Sequence, residues 1–217
     1  MKPTDACFID RMIEQLSALR LIPVVAIETV EQAEPLADAL VEGGLPCIEI
    51  TLRTQAALEA IRALAGREHF LLGGGTVHGV DHAKAVVDAG ARFVVTPGFN
   101  PRTVTWCLEN KVPIFPGVAT PTDLEMAMEH GIEVVKFFPA QNLGGVKMLK
   151  ALSGPYGGIR FIPTGGIDAA NLKDYLGLHC VLACGGSWMV KSDLLKAGNF
   201  DEIALITSEA VALAQQT

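Results

Sequence analysis

The feature that most constrains the fold is a repeated alternation of short apolar runs with amphipathic stretches, which occurs eight times in succession. The apolar runs are rich in Val and Ile and are bounded by Gly or Pro, which is typical of strands covered on both faces. Strands that alternate with helices imply a parallel sheet. Eight such units in 217 residues favour a closed (β/α)8 TIM barrel over an open, doubly wound sheet.

The alternation predicts where each element lies. Predicted strands cover residues 22–27, 47–53, 70–77, 92–96, 113–118, 133–138, 160–164 and 181–183. Predicted helices cover 31–41, 55–65, 81–89, 103–110, 122–130, 145–151, 172–176 and 201–215, with an extra N-terminal helix at 8–19. No linker or composition shift interrupts the pattern, so a single domain over 1–217 is expected. In such a barrel the chemistry is expected at the C-terminal ends of the strands.

Charge and cysteine content exclude several classes of protein. The 17 Lys and Arg against 24 Asp and Glu give a net charge of −7, which argues against nucleic acid or an anionic membrane surface as the main partner. Neither a membrane span nor a signal peptide is recognisable. The sequence has five cysteines, which are Cys7, Cys47, Cys107, Cys180 and Cys184. None of them forms a CxxC pair, so a reducing cytoplasm is the expected location of the protein.

Two charged side chains stand out in the predicted strand 47–53. Because side chains alternate between the faces of a strand, Ile48 and Ile50 share one face, while Glu49 and Arg53 share the other. With the apolar face against the helices, the carboxylate and the guanidinium are predicted to point into the barrel. They form either a buried structural ion pair or part of a site.

A lysine within the apolar run 133–138 is the second anomaly. Burial of Lys136 is costly unless it is paired or neutral, and desolvation together with a neighbouring cation favours the neutral amine. A neutral amine is the nucleophile that forms a Schiff base, and Arg53 is the candidate cation. The alternatives are a lysine that extends to the barrel rim or one that only pairs with Glu49.

Glycine clusters lie at the end of one predicted strand and after two others. Residues 73–75 lead to Thr76 at the rim, and Gly165-Gly166 and Gly185-Gly186 follow the seventh and eighth strands. Glycine pairs at those two positions match the place where many barrels bind phosphate through backbone N–H groups. The five histidines form no metal constellation: His78 and His82 have i,i+4 spacing but no evident third ligand, so a surface helix start is favoured over zinc.

These segments resemble the 2-keto-3-deoxy-6-phosphogluconate (KDPG) aldolases, a family that overlaps with the 4-hydroxy-2-oxoglutarate (KHG) aldolases. The resemblance runs from about residue 22 to residue 188. It is carried by the motifs EITLRT at 49–54, GGGTV at 73–77, KFFPA at 136–140, PTGGI at 163–167 and GGSW at 185–188.

The resemblance implies a role for each position. Lys136 would be the Schiff-base lysine and Glu49 the general acid and base. Arg53 and Thr76 would hold the pyruvate carboxylate, and Pro97 and Phe138 would shape the site. The resemblance also implies that Thr164 lines the pocket and that four residues meet the distal phosphate: Gly165, Gly166, Gly186 and Ser187. No metal or other cofactor is expected, and family members are commonly homotrimers.

The resemblance leaves the substrate open. Gly74 stands where the family pattern has alanine, Gln141 stands where it has an acid, and Lys191 replaces a typical proline. The leading expectation is cleavage of KDPG to pyruvate and D-glyceraldehyde 3-phosphate, with the galactonate epimer and 4-hydroxy-2-oxoglutarate as alternatives. A non-catalytic barrel that binds a sugar phosphate is the alternative from another class, and it gives no reason for Lys136. A metal-dependent aldolase is disfavoured because no ligand cluster is evident.

Overall fold

The computed structural model describes residues 3–216, with side chains from Ile9 onward. Its strands are β1 Leu21–Val25, β2 Cys47–Thr51, β3 Leu71–Gly75, β4 Phe93–Val95, β5 Ile114–Phe115, β6 Gly117–Val118, β7 Val134–Phe137, β8 Arg160–Pro163 and β9 Cys184–Gly186. Its helices are α1 Pro3–Leu19, α2 Ala33–Glu42, α3 Ala57–Leu64, α4 Val80–Asp88, α5 Pro101–Glu109, α6 Pro121–Glu129, α7 Gly145–Ser153, α8 Leu172–Leu176, α9 Ser192–Ala197 and α10 Phe200–Ala214. A short 3-10 helix, Val30–Gln32, precedes α2.

The strands form a closed parallel barrel, as predicted. One run of neighbours has the order β5-β4-β3-β2-β1-β9 and the other β6-β7-β8. Bridges from Phe161 to Val181 and from Thr164 to Gly185 join β8 to β9 and close the ring. The fifth barrel strand consists of β5 and β6, separated by Pro116, which has no N–H to donate to a ladder.

Two apolar layers hold the barrel together. Ile48 and Ile50 belong to the outer layer between strands and helices, whereas Cys47 belongs to the inner layer inside the barrel. The strand alternation predicted for 47–50 is therefore confirmed. Helix α1 contributes Met12 and Leu16 to the inner layer, so its side chains close the N-terminal end of the barrel. The C-terminal end of the barrel is therefore the end at which a functional site is expected.

The last strand differs from the prediction. It was expected at 181–183, but β9 spans Cys184–Gly186, and Val181 only bridges to β8. Glycine stands in this strand for steric reasons, because a Cβ on Gly185 would collide with the Thr164 hydroxyl and one on Gly186 with the Trp188 ring. Gly186 is thus a strand residue rather than a loop residue. Helix α9 was not predicted at all.

Four cysteines are free and buried, namely Cys47, Cys107, Cys180 and Cys184; the side chain of Cys7 lies outside the described residues. Burial raises the pKa of the Cys107 thiol to about 12, and burial raises the pKa values of Cys47 and Cys184 further still. No helix within residues 3–216 has the length and apolar character needed to cross a membrane.

Candidate active site

A lysine and a carboxylate face each other inside the barrel. Lys136 lies in β7 and is 6% exposed, and Glu49 lies in β2 and is 3% exposed. The Lys136 Nζ donates to Glu49 Oε1 at 3.1 Å and lies 3.5 Å from Oε2. Strands β2 and β7 are not neighbours in the barrel, so the contact spans its interior. The prediction that both charges enter the barrel is confirmed for this pair.

The surroundings of Lys136 are otherwise largely apolar. Its backbone N–H donates to the carbonyl of Pro116 at 2.9 Å, which fixes the base of the side chain. The Phe138 ring lies with its centroid 5.3 Å from Nζ, close enough for a cation–π contact with the ammonium form. A buried charge needs such partners, and the Glu49 carboxylate can also accept the proton of the ammonium.

Gly75 provides the space that the Glu49 side chain occupies. It lies on β3, in register with Thr51 of β2, and a Cβ built on it would collide with Oε1 and stand 2.6 Å from Cγ of Glu49. Residues 73–75 were predicted only to lead to Thr76, so the contact of Gly75 with Glu49 was not predicted. The available signal was glycine inside a strand, which marks a close approach by another group.

Arg53 lies outside the strand that carries Glu49. Strand β2 ends at Thr51, so Arg53 is in the following loop, where it is exposed. It pairs with no carboxylate among the side chains from Ile9 to Gln216. The prediction that its guanidinium points into the barrel next to Lys136 rested on strand alternation, which ends two residues before Arg53.

Thr76 has an unusual backbone at the predicted carboxylate site. Its φ is +57°, in the left-handed region that β-branched residues rarely adopt. Such a conformation costs about 1–3 kcal/mol and is concentrated at functional sites. Thr76 is half-buried directly after β3, at the same end of the barrel as Lys136.

Thr96 fixes the loop that carries Pro97, a role that was not predicted from the sequence. The buried Thr96 hydroxyl donates to the Gly98 carbonyl at 2.7 Å and accepts from the Gly117 N–H at 3.2 Å. Gly117 is in register with Lys136, so this hydroxyl ties the Pro97 loop to the strand beside the lysine. A threonine at the end of a buried strand was the only sequence signal.

The residues predicted to bind the distal part of the substrate follow β8 and β9. Thr164 is buried at the end of β8, and Gly165 and Gly166 have φ values of +100° and +75°. The buried Gly186 ends β9, and Ser187 after it is exposed. These residues share the C-terminal end of the barrel with the lysine.

The histidine pair lies elsewhere. The rings of His78 and His82 are 6.1 Å apart and line a surface hollow of about 450 Å³ together with Asn100 and Arg102. Lys136 and Glu49 are not part of this hollow. Within the described part of the chain, no group of three or more His, Cys, Asp or Glu side chains is placed to hold a metal ion.

A buried amine in contact with a buried carboxylate, at the catalytic end of a (β/α)8 barrel, is the arrangement that a lyase working through a Schiff base requires. Comparisons with known proteins identify one family within this class. The family model described as "KDPG and KHG aldolase" matches residues 12–206. The chain therefore belongs to the KDPG and KHG aldolase family.

Relatives and solved structures agree with this assignment. The chain is 52% identical over 205 residues to a 2-dehydro-3-deoxy-phosphogluconate aldolase of Treponema pallidum, covering 94% of each chain. It is 43% identical over 192 residues to a KHG/KDPG aldolase of Escherichia coli, covering 88% of this chain and 90% of the relative. A KDPG aldolase structure from Legionella pneumophila, with pyruvate captured as a covalent carbinolamine, superposes with a TM-score of 0.87 at 38% identity, covering 89% of this chain and 95% of that one.

Proposed function

We propose that this chain is a class I aldolase that cleaves KDPG to pyruvate and D-glyceraldehyde 3-phosphate. The observation that carries the proposal is the 3.1 Å contact between the Lys136 amine and the Glu49 carboxylate inside the barrel. The names of the relatives from Treponema pallidum and Escherichia coli support this substrate. The carbinolamine of the Legionella pneumophila structure supports the covalent route.

The first half of the reaction forms the imine. Glu49 accepts a proton from the Lys136 ammonium, and the freed amine attacks the C2 carbonyl of the substrate to give a carbinolamine. Glu49 then returns the proton to the C2 hydroxyl, which leaves as water. The product is a protonated imine, which withdraws electrons from C3. One carboxylate that contacts Nζ through both oxygens is suited to both transfers.

The second half breaks the C3–C4 bond. A base, proposed to be Glu49, removes the C4 hydroxyl proton, the C3–C4 electron pair moves to C3, and the imine nitrogen becomes neutral in the resulting enamine. D-glyceraldehyde 3-phosphate leaves. Protonation at C3 and hydrolysis of the imine then release pyruvate and regenerate the Lys136 amine.

The residues proposed to bind the substrate lie at or after the C-terminal ends of the strands. Arg53, exposed after β2, and Thr76, half-buried after β3, are proposed to hold the carboxylate of pyruvate, for which the planar guanidinium provides two parallel donors. Pro97 and Phe138 are proposed to form the walls of the pocket. The residues proposed for the distal part are Thr164 beside the sugar chain, and Gly165, Gly166, Gly186 and Ser187 at the phosphate.

The remaining proposals concern the whole molecule. We infer a single catalytic domain over 1–217 that needs no metal or other cofactor, acts in the cytoplasm and supplies pyruvate in the Entner–Doudoroff pathway. We also infer a homotrimer. Leu108 on α5 and Met128 on α6 are large apolar side chains that are 39% and 52% exposed in the single chain, which supports their burial by another subunit.

The test measures the release of pyruvate. Lactate dehydrogenase reduces the pyruvate, and the oxidation of NADH reports the rate. KDPG, its galactonate epimer and 4-hydroxy-2-oxoglutarate are compared by kcat/KM at equal enzyme concentration. The proposal predicts the highest value for KDPG; a higher value for 4-hydroxy-2-oxoglutarate would favour the alternative supported by the Escherichia coli relative's name. No pyruvate from any of the three, together with binding of the phosphorylated acid, would favour a non-catalytic binding barrel.

A further inference from the structure

The two glycines after β8 have their carbonyl groups bound by other parts of the chain. The Gly165 carbonyl accepts from the backbone N–H of Gln141 at 3.0 Å. The carbonyl of the exposed Gly166 accepts from the side-chain Nδ2 of Asn171 at 2.9 Å. Because the C=O and N–H groups of a planar trans peptide point in opposite directions, the N–H groups of Gly166 and Ile167 point away from these donors.

Asn171 stands at the N-cap of α8, but its side chain does not cap that helix. An asparagine at this position usually accepts from an N–H in the first turn. Here its Oδ1 accepts from the Asp168 N–H at 3.1 Å, while its Nδ2 donates to the Gly166 carbonyl. The two hydrogen bonds lie on either side of Ile167, so one carboxamide fixes the peptide groups that precede and follow this residue.

Asp168 in turn holds Asn171 in place. Its Oδ1 accepts from the backbone N–H groups of Ala170 at 2.9 Å and of Asn171 at 3.3 Å, which is the Asx-turn arrangement. Its backbone carbonyl accepts from the Leu172 N–H at 3.0 Å. The Asn171 carboxamide is therefore directed back at Gly166 by the turn itself.

The glycines leave this loop dependent on such a tether. Gly165 and Gly166 have φ values of +100° and +75°, and glycine has more conformational freedom than any other residue. Successive N–H groups on a turn of this kind form a concavity that binds anions. Ordering the turn only when the substrate binds would lower the affinity. The hydrogen bond from Asn171 restricts one of these peptides before the substrate arrives.

We infer that Asn171 is a positioning residue for the phosphate of the substrate. By holding the Gly166 carbonyl, it keeps the Ile167 N–H directed at the anion. The inference rests on the proposed function for the location of the phosphate at Gly165 and Gly166. Asn171 acts through the backbone that it holds, so it affects the binding of the phosphorylated end and not the imine chemistry of Lys136.

The first test is Asn171→Asp, which keeps the size of the side chain and the acceptor for the Asp168 N–H but cannot donate to the Gly166 carbonyl. Aspartate caps helices as well as asparagine does, so a role in the stability of α8 alone predicts no loss. We expect KM for KDPG to rise about tenfold or more, with kcat within about threefold of wild type. KM for 2-keto-3-deoxygluconate, which lacks the phosphate, should not change.

The second test is Asn171→Ala, which removes the donor without adding a charge and should raise KM for KDPG by a similar factor. The matched control is Asn199→Ala, which removes an N-cap side chain that accepts from the Glu202 N–H in α10. This control should leave KM for both substrates unchanged. An effect confined to Asn171→Asp would trace the loss to the added charge and overturn the inference, as would equal losses on both substrates.

Binding of inorganic phosphate separates this inference from the proposed function. Phosphate is titrated into wild type and the three variants by calorimetry, and its Kd should rise in both Asn171 variants but not in Asn199→Ala, whether or not the chain cleaves KDPG. Those phosphate affinities without any cleavage of KDPG would refute the proposed function and support the inference. Equal phosphate affinities in wild type and the Asn171 variants would overturn the inference.

Discussion

Gly75→Ala adds one methyl group beside the catalytic carboxylate. The new Cβ would stand 2.6 Å from Cγ and 2.8 Å from Cδ of Glu49, whereas carbon atoms in contact normally lie about 3.5–4.0 Å apart. The Glu49 side chain must therefore move by about 1 Å. Its hydrogen bond to Lys136 Nζ, 3.1 Å long, would then be lost.

The expected loss of turnover follows from that displacement. A misplacement of about 1 Å in a reacting group costs about 100-fold in rate, and overpacking of the buried strand costs about 1–3 kcal/mol of unfolding free energy. The assay is pyruvate release from KDPG, with circular dichroism and urea unfolding to confirm that the variant is folded. Turnover within threefold of wild type in a folded Gly75→Ala protein would refute the reasoning.

Gly74→Ala is the matched control, because it adds the same methyl group one residue earlier on the opposite face of β3. Its Cβ would stand 2.6 Å from Val86 Cβ, in the layer between strand and helix, far from the carboxylate. We expect a similar loss of unfolding free energy, about 1–3 kcal/mol, but kcat within about twofold of wild type. Adding Val86→Ala should restore most of that stability.

Three other predictions test separate parts of the account. Glu49→Gln removes the proton acceptor beside Lys136 and should lower kcat on KDPG by about 10²–10⁴-fold; a loss under tenfold contradicts the assigned role. Leu16→Ala should lower the unfolding free energy by about 2–5 kcal/mol in urea with kcat unchanged, since Leu16 packs at the closed end of the barrel. Burial raises the pKa of the Cys47 and Cys184 thiols above the ordinary 9.0, so above pH 9 only the unfolded chain ionises there. Unfolding free energy should then fall by about 1 kcal/mol per pH unit for each thiol, with a shallower slope in a Cys47→Ala, Cys184→Ala variant; equal slopes contradict the burial argument.

The fold was largely predictable because the repeated alternation of strand and helix leaves few architectures. Glu49 and Lys136 were predictable for a related reason: a charge in an apolar strand is costly, so two such charges indicate a shared site. The orientation of Arg53 could not be predicted in the same way, because strand alternation gives no information beyond the end of a strand and the sequence did not mark the end of β2 at Thr51.

Contacts between uncharged groups on distant segments could not be predicted. Nothing in the local sequence shows that the Thr96 hydroxyl joins two loops or that Tyr175 reaches Gln141, which lies 34 residues away. The last strand was misplaced because glycine has low strand propensity, while Gly185 and Gly186 are required there by the side chains of Thr164 and Trp188. The alanine of the family pattern at position 74 would crowd Val86 here, with the two Cβ atoms 2.6 Å apart, a contact visible only in three dimensions.

The central claim is that Lys136 forms a Schiff base, and trapping tests it most directly. The protein is incubated with pyruvate and sodium borohydride, digested, and mapped by mass spectrometry, with Lys136→Met as the control that keeps the length of the side chain without the amine. The account predicts one stable adduct on Lys136 in wild type and none in the variant. Absence of an adduct, or an adduct on another lysine with Lys136 unmodified, would contradict it.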